Sequence, residues 1–259
     1  MIAAAIFGVL IGAALGLLGG GGSILAVPAL VYGVGEPVAQ AVTTSLFVVG
    51  ISSAVGAAPR VRTGQVRWPI ALIFGTAGVA TAFAGAAVNQ LISGRALIFG
   101  FAALMIVVAT RMLAGEIRPR GSCAAADGRI NWSRCIPKSV SAGVVVGFLT
   151  GLFGVGGGFV VVPALALLLG LDMPVAIGTS LVIIVINSGA GFAAHIQGTS
   201  IDWPIALVFA GVSLTIAAVA GRLGTKMNPD RLRRWFALLI IAVAVFVAIE
   251  AGVNPAALG

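Results

Sequence analysis

Apolar residues run along this chain in long stretches, broken by short polar or glycine-rich segments rather than by strict alternation. Stretches of this length and uniformity read as membrane-embedded helices. The pattern predicts apolar segments at residues 2–18, 23–34, 38–58, 68–91 and 95–114. A second set follows at 139–153, 158–170, 174–194, 203–222 and 232–250. Residues 115–138 form one polar segment between the sets and read as a loop linking repeat 1–114 to repeat 139–259. Hydropathy alone counts about eight crossings, or ten if every short segment is included.

Composition sharpens that picture. Hydrophobic residues make up 60% of the 259 and charged residues 8%, against about 25% charged in a soluble domain. So few charges cannot solvate a globule of this size, which excludes a cytosolic enzyme and a nucleic-acid-binding chain. The class is an all-α polytopic membrane protein whose immediate partner is the lipid bilayer. Met1 to Ile6 carry no basic residue, so the first apolar segment is expected to be retained rather than cleaved as a signal peptide.

The chain is also an internal duplication. At an offset of 135 residues, Gly8, Gly12 and Gly16 fall on Gly143, Gly147 and Gly151. Gly19, Gly21 and Gly22 fall on Gly154, Gly156 and Gly157, and Val27-Pro28-Ala29-Leu30 falls on Val162-Pro163-Ala164-Leu165. Thr44-Ser45-Leu46 matches Thr179-Ser180-Leu181, and the run from Trp68 to Leu72 matches that from Trp203 to Leu207. Duplicated halves are common in secondary transporters, where substrate sits between the repeats.

Charge placement chooses between two topologies. If each glycine-interrupted pair makes one broken crossing, the basic residues divide nine against six across the membrane. If each pair is a re-entrant hairpin, each half has three full crossings and the second is inverted. Fourteen of the fifteen basic residues then share one side, and only Arg95 lies on the other. The positive-inside rule selects this second arrangement. It places the protein in the plasma (bacterial inner) membrane with both termini outside and the 115–138 linker in the cytoplasm. Cys123 and Cys135, both in that linker, are then expected to be free thiols.

Non-helical backbone at membrane depth must be buried in protein or line a cavity, so the glycine turns are expected at the centre. Gly19, Gly20, Gly21, Gly22 and Ser23 precede one short helix, and Gly154, Gly156, Gly157 and Gly158 precede the other. A helix N-terminus presents unpaired N–H groups and about half a positive charge. Two of them meeting at the midplane would bind an anion without any charged side chain. The four-residue spacings Gly8–Gly12–Gly16 and Gly143–Gly147–Gly151 read instead as smooth faces for a neighbouring helix. No strand precedes the glycine runs and no Lys-Ser/Thr follows, so a nucleotide-binding loop is not expected.

Among polar residues within the spans, Thr44 and Ser45 recur as Thr179 and Ser180, and Ser52-Ser53 aligns with Asn187-Ser188. An isolated Ser or Thr usually bonds its own preceding turn; a recurring pair, and an amide such as Asn187, are candidates for substrate binding. His195, the only histidine, aligns with Arg60 and suits proton coupling by its titration range, although an interfacial role is equally in keeping with its place. Arg60 and Arg62 are expected in a cytoplasmic loop. No catalytic residue, cofactor or metal site is predicted.

The glycine run followed by Val-Pro-Ala-Leu in both halves, the Thr-Ser-Leu after it, and the stretch from His195-Ile196-Gln197-Gly198 to Asp202-Trp203 resemble the TauE/SafE sulfite-exporter family. The resemblance covers nearly the whole chain. It implies export of small sulfur-containing anions such as sulfite, sulfonates or sulfoacetate, with the glycine, threonine, serine and asparagine positions above as site candidates. The halves depart from each other where Arg60-Val61-Arg62 faces His195-Ile196-Gln197, so a symmetric role for those segments is not implied. A transporter of another small anion is an alternative. So is an intramembrane enzyme, although the spans offer no Ser–His or paired-acid constellation for hydrolysis.

Overall fold

A computed structural model describes residues 2–89, 91–92, 94–114, 132–153, 158–195 and 201–253. The described residues form ten α-helices: α1 Ile2–Leu18, α2 Gly21–Pro28, α3 Val38–Arg62, α4 Trp68–Asn89, α5 Gly94–Ala114, α6 Trp132–Phe153, α7 Gly158–Pro163, α8 Met173–His195, α9 Trp203–Gly224 and α10 Pro229–Val253. Five of these regions are long and apolar enough to cross a membrane: Gln40–Arg62, Trp68–Asn89, Cys135–Phe153, Met173–Ala193 and Trp203–Gly224. Large apolar side chains such as Phe83, Leu207 and Trp235 are exposed on the outside, as a lipid-facing surface requires.

Two boundaries differ from expectation. Helix α3 runs to Arg62, not 58, and takes Arg60 out of the loop. Helix α6 begins at Trp132, so the end of the 115–138 segment is helical rather than loop. Cys135 therefore lies on α6, where it is fully buried and disulfide-bonded. The expectation of a free loop thiol is overturned at this position. The reason is the early start of α6, which draws Cys135 out of the polar linker into the packed end of a helix. The only other cysteine, Cys123, lies outside the described residues.

Glycine spacing sets the helix pairing. The most extensive packings are α4 against α6 and α1 against α9. Gly12 and Gly16 bring α1 onto α9, where a Cβ at Gly16 would lie 2.6 Å from Ala217 O. Gly143, Gly147 and Gly151 do the same for α6, meeting Phe74, Gly78 and Ala82 in turn. Residue numbers rise together across both interfaces, so α1 runs parallel to α9 and α6 parallel to α4. The small-residue faces read from the sequence are these two interfaces.

Helices α3 and α8 hold the centre and run antiparallel: Leu46 meets Gly191, Gly50 meets Ser188 and Gly56 meets Leu181. Helix α3 also lies parallel to α9, with Ser52 Oγ donating to Ser213 Oγ at 3.1 Å and Gly56 beside Gly221. Helix α5 packs on α10, and α2 on α7. Under the 135-residue offset each of these pairings maps onto itself or another of them, save α3 on α9, which maps onto the packing of α8 on α4.

Proline shapes the two short helices. Pro28 and Pro163 lack an N–H, and the proline ring crowds the carbonyl four residues back, so the following turn widens. Helix α2 accordingly continues as a π-helix over Ala29–Val34, and α7 over Ala164–Leu168. Both close the same way: Glu36 N donates to Leu30 O and Leu171 N to Leu165 O, each at 3.1 Å. Gly35 (φ 85) and Gly170 (φ 68) supply the left-handed turns that end them.

Candidate functional site

The starts of α2 and α7 touch. A Cβ on Gly20 would run into the Gly158 carbonyl, and one on Gly158 would lie 2.6 Å from Ser23 Oγ. Gly19 makes the turn between α1 and α2 at φ 77, a conformation that side chains disfavour. It packs on Ile177 and Ser180 of α8. The rest of the run is tightly covered: Gly21 faces Leu239 of α10, and Gly22 faces Ile11 and Leu15 of α1. Close backbone approach thus explains Gly20, Gly22 and Gly158 directly. Gly154, Gly156 and Gly157 lie outside the described residues.

The hydroxyls predicted as ligands divide into two groups. Ser23 Oγ donates to Gly20 O, Ser45 Oγ to Val42 O and Ser180 Oγ to Ile177 O, each at 2.8 Å. Their protons are held by their own helices. Thr179 Oγ1 accepts from the backbone N–H of Arg67 at 3.1 Å and so ties α8 to the start of α4. Thr44 Oγ1 and Asn187 Oδ1 are buried and have no hydrogen-bond partner, and Ser53 Oγ, not among the predicted ligands, joins them. Thr44 and Ser53 lie on α3 and Asn187 on α8, the two central helices. Buried polar atoms are normally paired, so three orphans on the central helices mark where a polar ligand would be satisfied.

Two charged residues at this core were not anticipated from the sequence. Arg60 is fully buried. Its Nη2 donates to Gly16 O at 3.2 Å and Leu17 O at 3.1 Å, and its Nη1 to Gln65 Oε1 at 3.4 Å. The guanidinium therefore caps the C-terminal carbonyls of α1, which a helix end leaves unpaired. A Cβ on Gly224 would meet Nη2 at 2.6 Å, so only glycine leaves room for the group at that point. The expected loop position of Arg60 is corrected. Helix α3 continues about one turn past 58, through Pro59, and so carries Arg60 inward.

Glu36, between the first π-helix and α3, is 6% exposed, and neither carboxyl oxygen has a hydrogen-bond partner. Burial pushes its pKa above the ordinary value near 4.5. The Thr44 hydroxyl opposes that rise, and the charge of Asp202 adds to it. Asp202 caps α9 by accepting from Ile205 N at 3.3 Å. His195 is the last residue of α8, and its side chain lies outside the described residues.

Comparison with known proteins identifies the frame. The family model for the sulfite exporter TauE/SafE matches residues 4–247. A probable membrane transporter protein of Xylella fastidiosa (strain Temecula1) is 35% identical over 246 residues, 93% of this chain and 92% of that one. The probable membrane transporter proteins YunE of Bacillus subtilis and MJ0441 of Methanocaldococcus jannaschii are each 26% identical. The first alignment covers 95% of this chain and 94% of the relative, the second 93% of each. No solved structure matches significantly. The glycine faces, the proline-widened helices and the match along nearly the whole length lead to one conclusion: this chain is an integral membrane transporter of the TauE/SafE sulfite exporter family.

Proposed function

We propose that the protein is a secondary transporter that exports small sulfur-containing oxyanions, such as sulfite, sulfonates or sulfoacetate, across the plasma membrane. The substrate class follows the family description. The observation that carries the site is the contact between the starts of α2 and α7, which pack on α3 and α8, the helices that bear the orphaned Thr44, Ser53 and Asn187. Short helix starts offer N–H donors and positive potential, and the orphans add polar groups that gain a partner when an anion arrives.

In this reading residues 1–114 and 139–259 are an inverted repeat, each with a re-entrant hairpin and three crossings. Support comes from helix direction. Helix α1 is parallel to α9, and α9 to α3, so α1 and α3 point the same way and the chain between them must return. The equivalent helices α3 and α8 oppose each other, as inversion of one half requires. The basic residues place the Arg60 end in the cytoplasm and both termini outside. The Cys135 disulfide sits at that same end. In a reducing compartment such a bond is transient or redox-sensing, whereas fourteen basic side chains give a persistent orientation signal.

The binding candidates are Gly19, Gly20, Gly21, Gly22, Ser23, Thr44, Ser45, Gly154, Gly156, Gly157, Gly158, Thr179, Ser180 and Asn187, with Thr44 and Asn187 foremost because their polar atoms are free. His195 remains a candidate for proton coupling at the outer end of α8. An anion leaving the cell moves down the membrane potential, which favours it by about 2.3 kcal/mol per charge per 100 mV. Purified protein in proteoliposomes should take up labelled sulfite or a sulfonate, and not a cation control. Equal uptake of all solutes, or none above empty vesicles, overturns the function.

A further inference from the structure

The two ends of the α3–α8 core carry equivalent backbone and different chemistry. At one end Thr179 accepts the backbone N–H of Arg67, and Leu171 follows the neighbouring π-helix and closes it with its own N–H. At the equivalent positions of the other end stand Thr44, Asp202 and Glu36. Thr44 makes no such bond, and the apolar Leu171 is replaced by a buried carboxyl with both oxygens unpartnered. A carboxylate left unpaired in a protein interior is strongly disfavoured. Among the described residues Glu36 makes no salt bridge. Helix α1 contains no ionisable residue, and the helix from Gly21 to Val34 contains one, Tyr32, whose side chain lies outside the described residues. Helix α9 brings Asp202, which is also acidic, and α8 ends in His195.

We propose that Glu36 is a proton-binding site that gates the anion pathway at its outer end, ionised Glu36 repelling the anion and protonated Glu36 admitting it. This rests on the transport reading above for its consequence, but not for the proton site itself. The proton goes to one carboxyl oxygen from the outer aqueous phase and returns there; no bond in the substrate changes. The neutral acid gains a proton that it can donate to the neighbouring Thr44 hydroxyl, whereas the ionised acid can only accept. Asp202, as a like charge, sets how readily the proton is held.

Two measurements test this on the full-length protein. Infrared difference spectroscopy over a pH titration should show a protonated-carboxyl band that persists above the ordinary carboxylate range, is absent in Glu36→Gln, and moves to lower pH in Asp202→Asn. A band that titrates wholly within the ordinary range overturns the site. Methanesulfonate flux into proteoliposomes, with a substrate ionised at every pH used, reads the gate. Wild-type flux should fall about tenfold per pH unit once pH exceeds the Glu36 pKa. Glu36→Gln should hold flux high and flat, and Glu36→Asp should keep a pH dependence. A wild-type profile in Glu36→Gln overturns the gate, as does flux that follows sodium rather than protons at fixed pH. If methanesulfonate is not carried at all, the band still decides the proton site, and the failure then belongs to the transport reading.

Discussion

The Arg60–Thr179–Arg67 end and the Glu36–Thr44–Asp202 end are built from equivalent helices and answer opposite electrostatic needs. At the first, a fully buried guanidinium makes three hydrogen bonds, and a threonine bridges two helices. At the second, a carboxyl and a threonine are left without partners. Duplication preserved the frame, because glycine faces and proline-widened helices depend on shape. Charge was free to diverge, since the two sets of residues lie at opposite ends of the antiparallel α3–α8 core. A repeated fold therefore does not imply equivalent chemistry at its two ends.

The largest effect expected from breaking this contrast is at Arg60. Arg60→Met removes a charged donor and leaves the Gly16 and Leu17 carbonyls unpaired. Each hydrogen bond to a charged group contributes about 1.5–3 kcal/mol, so thermal unfolding in detergent should drop by several degrees and flux should be lost. Arg60→Lys should recover part of both. Unchanged melting in Arg60→Met would show that the cap is not structural.

Next comes the packing that both ends share. Gly16→Leu must displace Ala217 O and Ala220 Cβ, 2.6 and 2.7 Å from the added Cβ. Overpacking of a tight core costs about 1–3 kcal/mol, so lower yield and melting temperature are expected. Gly211→Leu, at a glycine of α9 with open space around it, should be tolerated.

The threonine pair sharpens the comparison directly. Thr179→Val strands the Arg67 N–H and should cost about 1–3 kcal/mol. Thr44→Val removes a hydroxyl that lies near Glu36 but bridges no second helix, and should change stability by less than about 0.5 kcal/mol. Similar losses at both positions would erase the distinction between the two ends.

The smallest effect is the pH dependence of stability at Glu36. Its folded pKa lies above the ordinary value near 4.5, so the folded state binds the proton more tightly. Stability should therefore decline as pH rises from about 4.5 to the folded pKa and level off above it. Glu36→Gln should flatten this segment of a melting-temperature curve. A rise over the same window would reverse the assigned shift.

Orientation is checked separately. Reporters active only in the cytoplasm should be silent at both termini, and an active carboxy-terminal fusion would invert which end faces the cytoplasm.

Much of the frame was legible without coordinates. Long apolar segments, the 135-residue repeat and the Gly-xxx-Gly faces are local patterns, and each maps onto observed helices and interfaces. Helix ends were less legible: α3 continues past the expected end at 58 with Pro59 inside it, and α6 begins at Trp132 within the expected loop. The decisive contacts were not legible at all. Arg60 finds its carbonyl partners 43 and 44 residues away, and Thr179 meets Arg67 across 112. Glu36 is buried and feels Thr44 of α3 and Asp202 at the start of α9, eight and 166 residues away along the chain. Composition and periodicity determine how much of the chain must leave water. Which buried polar group finds a partner, and which is left to take up a proton or an anion, depends on distant segments meeting, and only the tertiary structure decides that.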